Sequence, residues 1–563
     1  MGLALEPKKI PPWSRIIAAK PAALADGGFS FSLRREGCRC DIVAAMQRGP
    51  AASNPLHRRS QRVIVPSSRP SVRVSEILLG WLLSSLVLLG LKWRMLGDTY
   101  YWDEQACYFA QVFELATRLK AFLASHPPYV RSPLLTSLLA LLYRYVSDAR
   151  ALQHGASLVV SALALPATFA LTCELGGSRR TGWLAAILCG LVPAYFAQAG
   201  MVQMDLPATG LVTLAFVCAL RQNWLGYAVL GSMAVLVKES TYWVCLASSL
   251  FVYLRLWRID RRPLLAVSTL LRLWWTVIPG VSLFLWLLVH RHITGALISS
   301  DHTSVLSIGG IWTSFLHNVL EGRRLALSLC ALGYVTVLYR NRLGTDASER
   351  AHTERLAVGA TLMLWLSLPL CFPGQLVRYM LPALPAQCAL AALGIAVLPQ
   401  RLRLGTATLL SLLLVSGWRG DSLHANSPCE IEGNLSYRLL LQQHMTVARR
   451  IVDAGFRRGI ADFPFDSILG SHSVFGYIDQ PLWMSRLASI RSPHDLCRAE
   501  FVVVTQNSVA SFPLVASAVA QGLLRLWFVA ADDKFPVGKS WYVPERARYD
   551  HRIWVYRVTC GSP

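Results

Sequence analysis

Residues 201–256 read MVQMDLPATGLVTLAFVCALRQNWLGYAVLGSMAVLVKESTYWVCLASSLFVYLRL. Three apolar runs, Leu206–Leu220, Trp224–Val237 and Thr241–Leu256, are interrupted only by Arg221-Gln222-Asn223 and Lys238-Glu239-Ser240. Each run approaches the ~20 residues that a helix needs to cross the hydrocarbon core of a bilayer. Outward from this stretch the pattern repeats at Ser75–Leu96, Leu152–Leu175, Trp183–Gln198, Leu273–His290, Leu325–Tyr339, Leu356–Phe372, Leu381–Leu398 and Thr406–Trp418. The expectation is a polytopic α-helical membrane protein of about 11 spans.

Composition agrees. Of 563 residues, 54% are apolar and 15% charged, against about a quarter charged in a soluble domain. A soluble enzyme, a disordered chain and a disulfide-stapled secreted module are excluded. The net charge of +23 lies in the N-terminal segment and in short loops between apolar runs. That is the placement of orientation signals, since basic residues stay on the cytoplasmic side; a nucleic-acid binder would gather them on one folded face. The 13 cysteines are scattered, many inside apolar runs, and form no metal or redox motif.

Residues 1–74 carry 13 Lys/Arg against four Asp/Glu with no sustained apolar period, which predicts a basic, mostly disordered cytoplasmic tail. Residues 75–418 form the membrane domain. Residues 419–563 contain strand-like runs, Phe501–Thr505 and Arg552–Tyr556, and predict a small extracytoplasmic α/β domain. Cys429, Cys497 and Cys560 fall there, enough for one disulfide and a leftover thiol. Pro133–Val146 is short for a span and is assigned to the outer face as a juxtamembrane helix. With that choice Arg179-Arg180, Arg258–Arg262 and Arg401–Arg403 all fall inside, as the orientation rule requires. Lys92 and Arg94, at the outer end of the first run, stand against it.

This topology collects polar residues on the outer face. Gly97–Gln105 contains Asp98, Thr99, Asp103 and Glu104. The acids suit a helix start, and a carboxylate at the membrane edge also suits proton removal from an incoming hydroxyl. Asp205 precedes a proline-bearing helix start, where it caps, holds substrate hydroxyls, or does both. Lys238-Glu239 breaks an apolar stretch with adjacent opposite charges; residues of this kind in membrane segments default to a functional reading, with snorkelling to water as the plain alternative. Arg378-Tyr379 opens the next proline-bearing run, and Arg378, Lys238 and Arg131 together supply cationic donors for a phosphate.

At these places the chain resembles the GT-C glycosyltransferases that use polyprenyl-phosphate sugars, the protein O-mannosyltransferase and aminoarabinose-transferase-like group. The resemblance rests on Asp103-Glu104, Arg131-Ser132-Pro133-Leu134-Leu135, Met204-Asp205-Leu206-Pro207, Val237-Lys238-Glu239 and Arg378-Tyr379-Met380-Leu381-Pro382, in order over residues 75–400. Some relatives carry acid-Lys-Pro-Pro where this chain has Val130-Arg131-Ser132-Pro133. The resemblance implies transfer of a sugar, with inversion, from a polyprenyl-phosphate donor to an extracytoplasmic hydroxyl on a lipid, glycan or protein. It implies Asp103 as the base, Glu104 and Asp205 as its supporting acids, and Lys238, Arg378 and Arg131 on the donor phosphate. Tyr379, Glu239 and His302 are supporting residues, His302 within a 291–324 loop that reads as a polar loop or as a lid hinged near Gly309-Gly310. If a divalent cation takes part, oxygen ligands suit Mg or Mn; its ligands stay unassigned. The rival expectation is a transporter or flippase of a lipid-linked or sugar substrate, but no internal repeat is visible and the charged motifs fall at span ends.

Overall fold

The computed structural model describes residues 72–99, 110–120, 130–146, 149–258, 267–297, 308–320, 323–340, 349–371, 377–418, 435, 437–462, 464–470, 477–505, 512–531 and 552–560, all within the compact unit Pro66–Pro563. Of the expected tail, residues 1–71 lie outside the described residues.

Each apolar run is helical along most of its length. The helices in order are α1 (Val74–Lys92), α2 (Ala110–Thr117), α3 (Pro133–Tyr143), α4 (Ala149–Ser161), α5 (Ala164–Glu174), α6 (Arg179–Leu191), α7 (Pro193–Gln198), α8 (Asp205–Leu220) and α9 (Trp224–Val237). They continue as α10 (Tyr242–Arg258), α11 (Val267–Thr294), α12 (Ile308–Val319), α13 (Arg324–Arg340), α14 (Glu349–Cys371), α15 (Leu384–Ala396) and α16 (Gln400–Ser416). Local chemistry sets the starts. Pro133 and Pro193 stand at first helical positions that need no N–H, while Ser178 and Asn223 accept from the backbone N–H of Thr181 and Gly226.

Among the described residues four helical segments are long and apolar enough to cross a membrane: Val74–Met95, Arg150–Glu174, Leu273–Thr294 and Arg378–Ala396. The other runs of the expected set fold as shorter or more charged helices. On α1, Leu79, Leu82, Leu86, Val87 and Leu91 are all more than half exposed. An apolar face of that extent requires lipid around it, and the chain is an integral membrane protein. Inside, α5, α8 and α15 are nearly fully buried and rich in small residues, and α5 packs against both of the others and against the half-buried α6. Gly394 shows the tightness: a Cβ there would overlap the Cys330 carbonyl of α13.

Lys92 has an explanation that charge counting misses. It is 2% exposed, and its ammonium donates to the carbonyls of Phe196 (2.7 Å) and Ala197 (3.1 Å) at the end of α7. It acts as a helix C-cap, so its position says nothing about orientation. Phe196 also stacks on Trp418 at 3.8 Å, and the Trp418 carbonyl accepts from the Leu435 N–H at 2.9 Å.

There α17 (Tyr437–Asp453) is followed by β1 (Arg458–Ala461), α18 (Phe465–Gly470), β2 (Trp483–Arg486), β3 (Phe501–Val504), α19 (Phe512–Ala520), β4 (Leu524–Ala530) and β5 (Ile553–Val558). The sheet order is β2-β1-β3-β5-β4, with β1 parallel to β2 and β3, and β5 antiparallel to β3 and β4. The two strand-like runs of the sequence are β3 and β5. Alternation places Phe501, Val503 and Val555 in the main core that includes α17, and Val502, Val504 and Tyr556 in a second core beneath α19. Cys497 and Cys560 form a disulfide; Cys429 lies outside the described residues.

Candidate functional site

Helices α8 and α9 are joined by a short turn and pack against each other, so the start of α8 and the end of α9 share one end of the bundle. Asp205 occupies the first position of α8 and Lys238 the residue after α9. The turn Val377–Ala383, which leads into α15, packs on α8 and brings Arg378 and Tyr379 to the same place.

The Lys238 ammonium donates to Asp205 Oδ1. Asp205 Oδ2 stands 3.8 Å from Arg378 Nε and makes no hydrogen bond to a described residue. The side chains of Asp205, Arg378 and Lys238 are 1%, 3% and 13% exposed. Lys238 Nζ lies 4.0 Å from the centre of the Tyr379 ring, and the Arg378 guanidinium 5.4 Å from it. One carboxylate and an aromatic face thus hold two cations in a poorly solvated site.

Asp205 is not a capping residue. Met204 is the cap position, no side chain caps this helix, and the Asp205 carboxylate faces Lys238. Nor does Lys238 snorkel to water. The turn after it is fixed by Thr241, whose N–H and hydroxyl both donate to the Lys238 carbonyl, at 3.0 and 2.7 Å. Glu239 turns away from the cluster and accepts from Trp286 Nε1 at 3.0 Å. Arg131 adds a further positive charge around Lys238.

Arg131 is positioned by a residue that the sequence did not single out. Gln111 on α2 accepts from the Arg131 N–H at 2.6 Å and donates to its carbonyl at 3.1 Å. A second unforeseen contact joins Asp98 to the C-terminal region. Arg438 Nε and Nη2 donate to the two Asp98 oxygens at 2.7 and 3.0 Å. Asp103, Glu104 and His302 lie outside the described residues. Gly309 and Gly310 are in the first turn of α12 rather than in a loop.

No group of three or more His, Cys, Asp or Glu side chains among the described residues is placed to hold a metal ion. Among the described residues the donor set at Asp205 is one carboxylate shared by two cations, which by itself does not make a site for a hard divalent ion; Asp103 and Glu104 lie outside the described residues.

No family model matches the chain, and no curated protein does. Among solved structures it is similar to ArnT from Cupriavidus metallidurans bound to undecaprenyl phosphate, at 15% identity over 87% of this chain and 100% of that one, with a TM-score of 0.49. The apo state of the same protein is similar at 13% identity over 85% of this chain and 98% of that one, with a TM-score of 0.48. A likeness at these values assigns no activity.

Proposed function

We propose that the chain is a membrane glycosyltransferase that takes its sugar from a polyprenyl-phosphate donor. The observation that carries this reading is the buried cluster of Asp205, Lys238, Arg378 and Tyr379, with the Arg131 charge acting on Lys238: among the described residues, three cations around one carboxylate at one end of the bundle. Buried cations gathered in one place suit an anionic headgroup. The lipid tail has a path nearby. An apolar groove of about 570 Å³, with Trp243, Leu250, Tyr253, Leu273 and Leu364 among its walls, begins five residues beyond Lys238. It follows α10 for about 15 Å by the rise of a helix.

In the reaction the acceptor hydroxyl attacks the anomeric carbon as the bond from that carbon to the phosphate oxygen breaks. The electron pair leaves with the polyprenyl phosphate, and Lys238, Arg378 and Arg131 stabilise the charge that develops there. Asp205 holds the Lys238 ammonium in place. The hydroxyl proton passes to Asp103, the base of this proposal, with Glu104 in support; a base contributes roughly 10²–10⁴-fold. Attack opposite the leaving group inverts the anomeric centre.

The Cys497–Cys560 disulfide supports an extracytoplasmic location for the C-terminal domain, since such bonds persist in oxidising compartments. The test uses membranes supplied with a radiolabelled polyprenyl-phosphate sugar pool, comparing the natural chain with Asp103→Asn at equal protein level. Labelling of an acceptor that disappears in the variant is the expected result. Unchanged labelling removes Asp103 as the base, and accumulation of labelled donor across the membrane without transfer replaces the reading by a flippase.

A further inference from the structure

Strand β2 is an edge of the sheet, and its first residue, Trp483, is 80% exposed. Tryptophan is usually well covered in a folded chain, so a bare indole on an edge strand needs a reason. An open groove lies on each side of it. One, of about 570 Å³, contains Asp466 and Arg486, which pair with each other at 2.9 Å. The other, of about 660 Å³, runs between β1, β2 and residues 489–499 and contains Arg458, Arg491, Arg498 and a single acid, Asp495. Asp495 already accepts from the Ser492 N–H and hydroxyl, both at 3.0 Å, and lies 3.6 Å from Arg498. Arg458 and Arg491 complete the basic lining; Glu500, next to the groove but not among its lining residues, is held by the Arg457 and Arg458 main-chain N–H groups, at 2.5 and 3.0 Å.

We propose that this groove binds an anionic saccharide, one bearing carboxylate or phosphate groups. The indole face suits the apolar C–H face of a pyranose ring, and guanidinium forks match carboxylate or phosphate oxygens in a way that a neutral sugar cannot exploit. Aromatic stacking combined with cations also serves single-stranded nucleic acid, but the disulfide in the same domain belongs to compartments where glycans, not nucleic acids, are the common polymers. On the transferase reading, the groove gathers the acceptor, which is then an acidic glycan or the sugar headgroup of an acidic glycolipid; saccharide binding itself is independent of that reading.

The experiment is calorimetric titration of the full chain in phosphatidylcholine nanodiscs with trigalacturonate, glucosamine 6-phosphate, maltotriose and an eight-residue oligothymidylate. Trigalacturonate is expected to bind about tenfold or more tighter than maltotriose. Trp483→Ala, and separately Arg458→Gln with Arg491→Gln, should each weaken it about fivefold or more, while Arg458→Lys with Arg491→Lys keeps part of the affinity. These side chains are exposed, and unchanged circular dichroism checks that the variants fold. Equal binding of maltotriose, tighter binding of the oligothymidylate, or an unchanged affinity in the Gln variant overturns the proposal. So does complete displacement of trigalacturonate by sugar-free phosphatidylglycerol vesicles, which marks a general anionic-lipid surface. Displacement by an acidic glycolipid alone supports it and identifies a headgroup as the source. Lys238→Met separates the two readings: it should abolish transfer and leave trigalacturonate binding intact. Binding in a chain that transfers nothing would retain the groove and discard the transferase.

Discussion

Replacing Asp205 by Asn preserves the shape of the side chain and removes the negative charge that, among the described residues, lies between Lys238 and Arg378. Because Asp205 and Arg378 are almost fully buried and Lys238 nearly so, solvent does little to screen the change. Breaking a buried ion pair by removing one partner destabilises by about 3–5 kcal/mol, since the remaining charge is left uncompensated. Asp205→Asn should therefore lose about 3–5 kcal/mol of unfolding free energy, read by reversible unfolding in mixed dodecyl sulfate and maltoside micelles. The double variant Asp205→Asn/Lys238→Met removes the orphaned ammonium as well and should recover about half of that loss or more. Polyprenyl phosphate adds an anion to the same place, so it should raise the melting temperature of Asp205→Asn by more than it raises that of the natural chain. A single-variant loss below about 1 kcal/mol, or a double variant as unstable as the two singles summed, would refute the view that one carboxylate holds both cations.

Three further outcomes follow from the same physical reasoning. The Asp98–Arg438 pair has ideal two-pronged geometry, but its partners are 22% and 34% exposed. A double-mutant cycle with Asp98→Asn and Arg438→Gln should give a coupling of about 1 kcal/mol, reduced further by salt, and a coupling of zero would mean that the contact does not hold the two regions together. Lys92→Met keeps the buried stem and leaves the Phe196 and Ala197 carbonyls without their donor; thermal unfolding should show a loss of about 2–4 kcal/mol, whereas a change within 0.5 would contradict the capping role. Burial beside Phe465 pushes His444 down to about 3. Its unfolded value is near 6.5, so the unfolded chain binds the extra proton between those limits. Stability should be flat above pH 6.5 and fall as the pH drops toward 3, by up to about 1.4 kcal/mol per unit. Chemical unfolding of the natural chain against His444→Leu at pH 7.5, 6 and 5 isolates that slope, and parallel curves would remove His444 as its source.

Asp205, Lys238, Arg378 and Tyr379 were legible because charged and aromatic residues that interrupt long apolar runs are conspicuous, and runs joined by short turns bring alternate ends together. The helices were legible for the same reason. Other features have no local signature. Lys92 looks like an ordinary flanking cation until the carbonyls of α7, a hundred residues away, arrive beside it. Asp98 and Arg438 are 340 residues apart, and no periodicity links them. Gln111 acts through a main-chain segment, so residue type alone does not announce it. Glu239 was grouped with Lys238 by adjacency, but the turn sends neighbouring side chains in different directions. Strands β1, β2 and β3 have four residues each; β3 and β5 stood out through their run of β-branched and aromatic residues, which Arg458–Ala461 and Trp483–Arg486 lack.

The order of strands in the sheet has a consequence for how the protein is made. Of the five described strands β5 is synthesised last, yet it lies between β3 and β4 and, among the described residues, supplies the only ladder that β4 has. While the ribosome is still working on this region, β4 has no partner and the sheet stops at β3. The membrane helices upstream will already have been delivered to the bilayer, so the sheet closes last, around an incoming strand, and the Cys497–Cys560 bond can seal it only afterwards. A chain interrupted between Ala530 and Ile553 would carry a finished membrane portion and an open sheet edge, a ready target for quality-control proteases.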